Sequence, residues 1–285
     1  MKKFKLITIL IMLFGLTGCF RNDSMDNISI VTSTYPIEYV VNYLYGKHST
    51  INSIYPLDSE INDFKVTKVL LNQYSDNDLF IFNGLSNEKD YVKTMLKNNN
   101  DLKIIDVTSN MNIDYKMEEI WLDPNNLLTI ANNIKKGFNE YLTSRVLMKE
   151  INDNYENLKI ELTNLDGRFY SLAKNATNKT IIVSNNAFKY LEKYGIEVIS
   201  LDEETVTSKD IATAKELLKN NDCLYVYTKY EEELSDTVNS VMEGTSANVI
   251  ELYTMTNLHD IVIDKTDYIT LMNQNLENIK LELYK

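Results

Sequence analysis

Short apolar runs separated by polar turn residues recur along the chain, and longer amphipathic stretches fall between them. Runs at 28–32, 51–54, 79–82 and 103–106 are rich in apolar and β-branched residues and are predicted as strands. Helices are predicted at 37–45, just after Pro36, and at 88–97, ahead of the stop Asn98-Asn99-Asn100. The same alternation returns in the second half, with strands at 180–183, 197–199, 223–227 and 248–250. Strands that alternate with helices favour a mostly parallel sheet covered by helices on both faces. Between the halves, Ile151, Tyr155, Leu158, Leu162, Leu165, Phe169 and Leu172 recur at spacings of four and three, which lays one apolar stripe along one helix. Residues 145–176 contain no proline and a single glycine, Gly167, so a helix of roughly 48 Å is allowed at about 1.5 Å per residue. The expected fold class is therefore α/β, with two similar lobes of about four parallel-rich strands each, at 28–143 and 178–285, joined by one long rigid helix at 144–177. A stripe of this length suits either a coiled-coil dimer or burial under the chain's own lobes; the expectation here is burial, and a monomer.

The N-terminus changes this picture. Lys2, Lys3 and Lys5 precede an apolar run at 6–13 that is too short to span a bilayer as a helix and that leads to Leu16-Thr17-Gly18-Cys19. The pattern resembles a bacterial lipobox. It implies a signal peptide at 1–18, lipidation of Cys19, a tether at 19–27 and residence on the outer, extracytoplasmic face of the cell membrane, since several acyl chains suffice for stable anchoring in the lipid bilayer. Three of the 29 lysines and arginines lie in that peptide, so the body would carry 26 against 41 acidic residues, a formal charge of −15. Such a surface repels nucleic acid; it suits a cation receptor and equally suits plain solubility. Beyond Cys19 the only cysteine is Cys223, so the body has no internal disulfide, and Cys223 is expected as a buried strand thiol rather than a nucleophile.

Several segments resemble the zinc- and manganese-binding substrate receptors of ABC importers, a family of adhesin-like lipoproteins. They are Val31-Thr32-Ser33-Thr34-Tyr35-Pro36 at the end of the first strand and Asp76-Asn77-Asp78-Leu79-Phe80-Ile81-Phe82-Asn83-Gly84-Leu85. To these add Ile120-Trp121-Leu122-Asp123-Pro124 leading into a helix, Asn186-Ala187-Phe188 with Tyr194-Gly195, and a closing helix at 268–280. Each alone is weak; in this order, beside a lipobox, they are specific. The resemblance implies two α/β lobes on one long helix, a divalent metal ion as transported ligand, and an ABC permease as partner.

The metal ligands that the resemblance implies are mostly replaced. The family's first histidine falls at Asn62, the second, two residues before the tryptophan, at Glu119, the third at Asn185, and the late aspartate nearest Tyr253. Only Glu119 remains a strong donor, whereas zinc and manganese favour several imidazole or carboxylate groups. The two histidines, His48 in a helix-to-strand turn and His259 in a polar loop, match none of these positions and are expected as exposed loop residues. Asp58, Glu60 and Asp63 form an acidic cluster beside Asn62 that is either a solvated loop or an oxygen site for a hard cation. Tyr35, Trp121, Tyr227 and Tyr253 fall near predicted strand ends, where an aromatic-lined cleft for a small ligand competes with ordinary packing.

These residues suit three classes of function unequally. A solute receptor for an importer leads; a degenerate relative serving adhesion or interaction, or binding a non-metal ligand, is the alternative. An enzyme is disfavoured, because there is no Ser/His/Asp set, no paired-histidine metal motif and, with 8 glycines in all, no phosphate-cradling loop.

Overall fold

The computed structural model describes residues 25–59, 61, 64–111, 119–258 and 266–285. Among the described residues, eight strands form two separate four-stranded sheets, parallel throughout. The first sheet contains β1 (Ile28–Thr32), β2 (Ser49–Ser53), β3 (Leu79–Phe82) and β4 (Lys103–Asp106), in the order β2-β1-β3-β4. The second repeats the topology with β5 (Thr180–Val183), β6 (Glu197–Ser200), β7 (Tyr225–Lys229) and β8 (Asn248–Leu252), in the order β6-β5-β7-β8. Central strand β3 reads as an unbroken apolar run because both of its faces are covered: all four of its residues, Leu-Phe-Ile-Phe, are buried.

Helices α1 (Tyr35–Tyr45), α2 (Lys68–Tyr74), α3 (Glu88–Asn98) and α4 (Pro124–Tyr141) belong to the first lobe. Pro36 sits in the first turn of α1, where its missing N–H costs nothing, and the helix consequently begins two residues before the expected start. Helix α4 begins on Asp123, whose carboxylate accepts from the Asn125 N–H at 2.8 Å, with Pro124 next in line. The second lobe carries α6 (Ser208–Lys219), α7 (Asp236–Met242) and the closing α8 (Tyr268–Leu283). Helix α6 opens with a reciprocal capping box between Thr207 and Asp210.

The 30-residue helix α5 (Arg145–Lys174) runs between the lobes, unbroken through Gly167. Every residue of its predicted stripe is buried, packed in one core with α1, α4 and α8. The remaining strand differences have local causes. Strand β2 starts earlier than its apolar residues do, because Ser49 and Thr50 already pair with Ile28 and Ser29. Strand β7 starts later: the Asp222 and Cys223 N–H groups both bond the Leu217 carbonyl at the end of α6, so Cys223 is a buried thiol in the turn before the strand. Burial pushes that thiol up to about 12.

Candidate functional site

In open parallel sheets, ligand crevices lie beyond the carboxyl ends of the strands where the chain order reverses direction. Here those points are β1/β3 in the first lobe and β5/β7 in the second, and a cavity of about 350 Å³ lies at each.

The second-lobe cavity is lined by Ser184 and Asn185 after β5, by Lys229 at the end of β7, by Asp202, Glu203 and Glu204 after β6, and by Glu232 and Glu233. Glu119, which comes from the first lobe's sequence and precedes the turn Ile120–Leu122, lines it as well. The cavity therefore sits at the lobe junction. The Glu119 carboxylate, 8% exposed, meets the Lys229 ammonium, 12% exposed, at 3.0 Å. Glu232 closes the floor: one of its oxygens accepts from the Ser184 hydroxyl at 2.5 Å and from the Lys229 N–H at 3.1 Å, tying β5 to β7. Asn185 begins the helical turn Asn186–Tyr194, and its side-chain oxygen accepts from the Ala187 N–H at 2.9 Å. Among the described residues, no three His, Cys, Asp or Glu side chains are grouped to hold a metal ion.

The first-lobe cavity is lined by Thr34, Tyr55, Phe64, Asn83, Glu88, Tyr91 and Trp121. Glu88 is 2% exposed and accepts from the Asn83 N–H at 2.7 Å. Burial raises its carboxyl to about 7; the Asn83 hydrogen bond opposes this and the neighbouring Asp106 charge adds to it. Gly84 follows Asn83 because nothing larger fits. A Cβ there would lie 2.2 Å from Asp106, whose carboxylate is held by the Gly84 and Thr108 N–H groups and the Thr108 hydroxyl.

The lobes are stitched together next to these cavities. Trp121, buried, donates its indole N–H to the Thr254 carbonyl at 2.8 Å and accepts on its own carbonyl from the Tyr268 hydroxyl at 2.6 Å. The Leu258 N–H reaches the Leu57 carbonyl at 2.6 Å. Lys193 contacts both Asp123, at the start of α4, and Asp166 of α5.

Of the residues singled out from the sequence, Glu119 and Asn185 share one cavity. Tyr253 lines a different groove, of about 650 Å³, against Tyr230, with ring centroids 4.9 Å apart. Its backbone is fixed there by a two-way hydrogen bond to Asn275, at 2.8 and 2.7 Å. The cause is strand order: Tyr253 follows β8, the edge strand, and so ends outside the β5/β7 crevice. Asn62, Glu60, Asp63, His259 and Cys19 lie outside the described residues, and Asp58 is exposed. Tyr227, buried in β7, is core rather than cleft lining: its hydroxyl bonds the Asn278 carbonyl at 3.1 Å. His48 differs from the expected exposed loop residue. Its ring lies between Asp26 at 3.0 Å and Glu150 at 3.1 Å. Burial alone would lower its pKa; the hydrogen bonds and charges of Glu150 and Asp26 outweigh this and raise it. Lys229 was missed entirely, and no signal in the sequence marks it: a lysine closing an apolar strand reads as a solvated strand end.

Two parallel α/β lobes on one continuous helix, with a crevice at their junction, define a two-lobed solute-binding fold. Residues 30–281 match the family described as ZnuA, zinc-uptake complex component A, periplasmic, and the chain belongs to that family of substrate-binding proteins. It is similar to the manganese-binding lipoprotein MntA of Halalkalibacterium halodurans, 23% identical over 262 residues, covering 84% of this chain and 86% of that protein. It is also similar to the high-affinity zinc uptake system protein ZnuA of Bacillus subtilis, 24% identical, covering 90% of this chain and 87% of the relative. The crystal structure of the metal-dependent lipoprotein YcdH from Bacillus subtilis shares the fold with a TM-score of 0.76 at 21% identity, covering 91% of this chain and all of that one.

Proposed function

We propose that this chain is the extracytoplasmic substrate-binding component of an ABC importer, anchored on the outer face of the cell membrane through Cys19, with a divalent metal ion as its cargo. The observation that carries the reading is the family match over residues 30–281. A cavity at the lobe junction, with Glu119 from one lobe and Asn185 from the other in its walls, gives the cargo a place to bind. The names of the manganese-binding and zinc-uptake relatives support the choice of cargo. On this reading the protein carries a ligand to a permease and catalyses nothing.

The donors present suit weak rather than tight capture. Among the described inherited positions, the cavity holds Glu119 and Asn185, one carboxylate and one amide, while Tyr253 lines another groove; tight zinc sites use several imidazole or anionic donors. Glu119 is already engaged by Lys229, and the Asn185 oxygen by the Ala187 N–H.

The test is to strip the full-length protein with a chelator, re-add zinc or manganese, and measure retained metal and thermal shift. An ion that binds only the folded state raises its stability according to its concentration over its dissociation constant. The reading expects a shift only at high metal concentration, abolished by Glu119→Ala. Absence of a shift with every divalent ion would refute metal as cargo.

A further inference from the structure

We propose that Lys229 is a resident cation of the junction cavity, occupying with its ammonium the position on Glu119 that a metal ion would take, and so sets the cavity's selectivity against divalent cations. The inference rests on the reading of that cavity as the cargo site.

Six carboxylates line this cavity, Glu119, Asp202, Glu203, Glu204, Glu232 and Glu233, and the single basic side chain among its lining residues is Lys229. Such a wall attracts cations. The ammonium lies on Glu119, 3.0 Å away, and both side chains are almost wholly withdrawn from solvent. Its backbone is equally fixed. Lys229 is the last residue of β7, paired in register with Leu252 of β8, and its N–H is held by Glu232. This lysine is therefore no mobile surface group that swings aside at little cost. Two consequences follow from elementary electrostatics. A divalent ion that approaches Glu119 meets a positive charge at contact distance, and at that separation in a partly buried site like-charge repulsion is strong. An ion that displaces the ammonium breaks its contact with Glu119 while the lysine stays buried, which is unfavourable. The pair also spans the lobes, Glu119 from the first and Lys229 from the second, so the tethered cation holds the junction together without a ligand.

The test compares zinc and manganese titrations, by calorimetry and by metal content at equilibrium, of the full-length wild type, Lys229→Met, Lys229→Arg and the double variant Lys229→Met/Glu119→Gln. Thermal unfolding of each establishes that it is folded. The proposal expects Lys229→Met to bind at least about tenfold tighter than wild type. Lys229→Arg, which keeps the charge, should bind like wild type, and the gain should vanish in the double variant. A gain in metal binding cannot arise from a lysine that serves only as a structural strut. Equal affinity of wild type and Lys229→Met overturns the inference and leaves metal as cargo standing. Binding by Lys229→Met alone sustains the inference and refutes metal as the present cargo. Binding by neither overturns both, and a gain that survives Glu119→Gln overturns the inference by placing the ion elsewhere.

Discussion

The two lobes share strand order, parallel pairing and a cavity of about 350 Å³ at the same topological point, yet they bury a carboxylate in opposite ways. In the first lobe Glu88 lies among Tyr55, Phe64, Tyr91 and Trp121 and is pushed up to about 7, so burial is relieved by taking up a proton. In the second lobe Glu119 lies among other acids and is met by the ammonium of Lys229. The same fold thus offers one crevice whose charge is set by pH and one whose charge is set by a covalently attached cation. Among the described lining residues, those of the second come from both lobes and those of the first from one.

The largest expected effect that would sharpen this contrast is on the ion pair. Glu119→Ala takes the carboxylate away from a buried ammonium and should lower unfolding stability in urea by about 3 kcal/mol, whereas Glu119→Leu combined with Lys229→Met should recover most of it. A loss too small to measure would mean that the pair is solvated, and the contrast would fall. The next effect belongs to Glu88. Its folded-state pKa of about 7 lies above the ordinary 4.5, so the folded form holds its proton more tightly. The stability this brings is fully present below pH 4.5 and is lost as pH rises through about 7. Glu88→Gln should therefore stabilise by about 2 kcal/mol at pH 8 and by little at pH 5, read as the difference in melting temperature; equal effects at both pH values would argue against a protonated carboxyl. Gly84→Ala, which drives a methyl group into Asp106, should cost about 1–2 kcal/mol in the same assay, and no loss would show that Asp106 yields freely.

The smallest effect concerns how each lobe is pinned to α5. The first lobe uses His48 on Glu150, and the second uses Lys193 on Asp166. The raised pKa of His48 means that its contribution is present below its ordinary pKa of 6.5 and fades as pH rises through the folded-state value. His48→Gln should cost a fraction of a kcal/mol at pH 5.5 and nothing at pH 8.5. Lys193→Met should instead show the same loss at both. Matching pH profiles for the two variants would break the asymmetry.

Much of the fold was legible in the sequence, and the reasons are local. Strands β1, β3, β4 and β5 are apolar runs with polar bounds, and the stripe from Ile151 to Leu172 has a period that only a helix satisfies. The shift of β7 was not legible, because Cys223 and Leu224 are apolar yet the Cys223 N–H is spent on the end of α6. The site was legible only in part. Asn185 and Glu119 were placed through the family resemblance, and both line the junction cavity. Tyr253 could not be assigned to its groove, since that depends on β8 lying at the sheet edge. Lys229 could not be paired with Glu119, because 109 residues separate them in the chain and only the docking of two lobes brings them together.

The identity of the cation against Glu119 decides between a metal-filled and a lysine-filled cavity. Anomalous diffraction at the zinc absorption edge, from crystals of the wild type and of Lys229→Met grown in the same zinc concentration, reads this directly. The strongest peak of the variant is expected within bonding reach of the Glu119 carboxylate, about 2.0–2.2 Å, with the Lys229 ammonium holding that place in the wild type. Zinc bound to Glu119 beside an undisturbed Lys229, or strongest peaks of both crystals at His48 or in the Glu88 crevice, would contradict it.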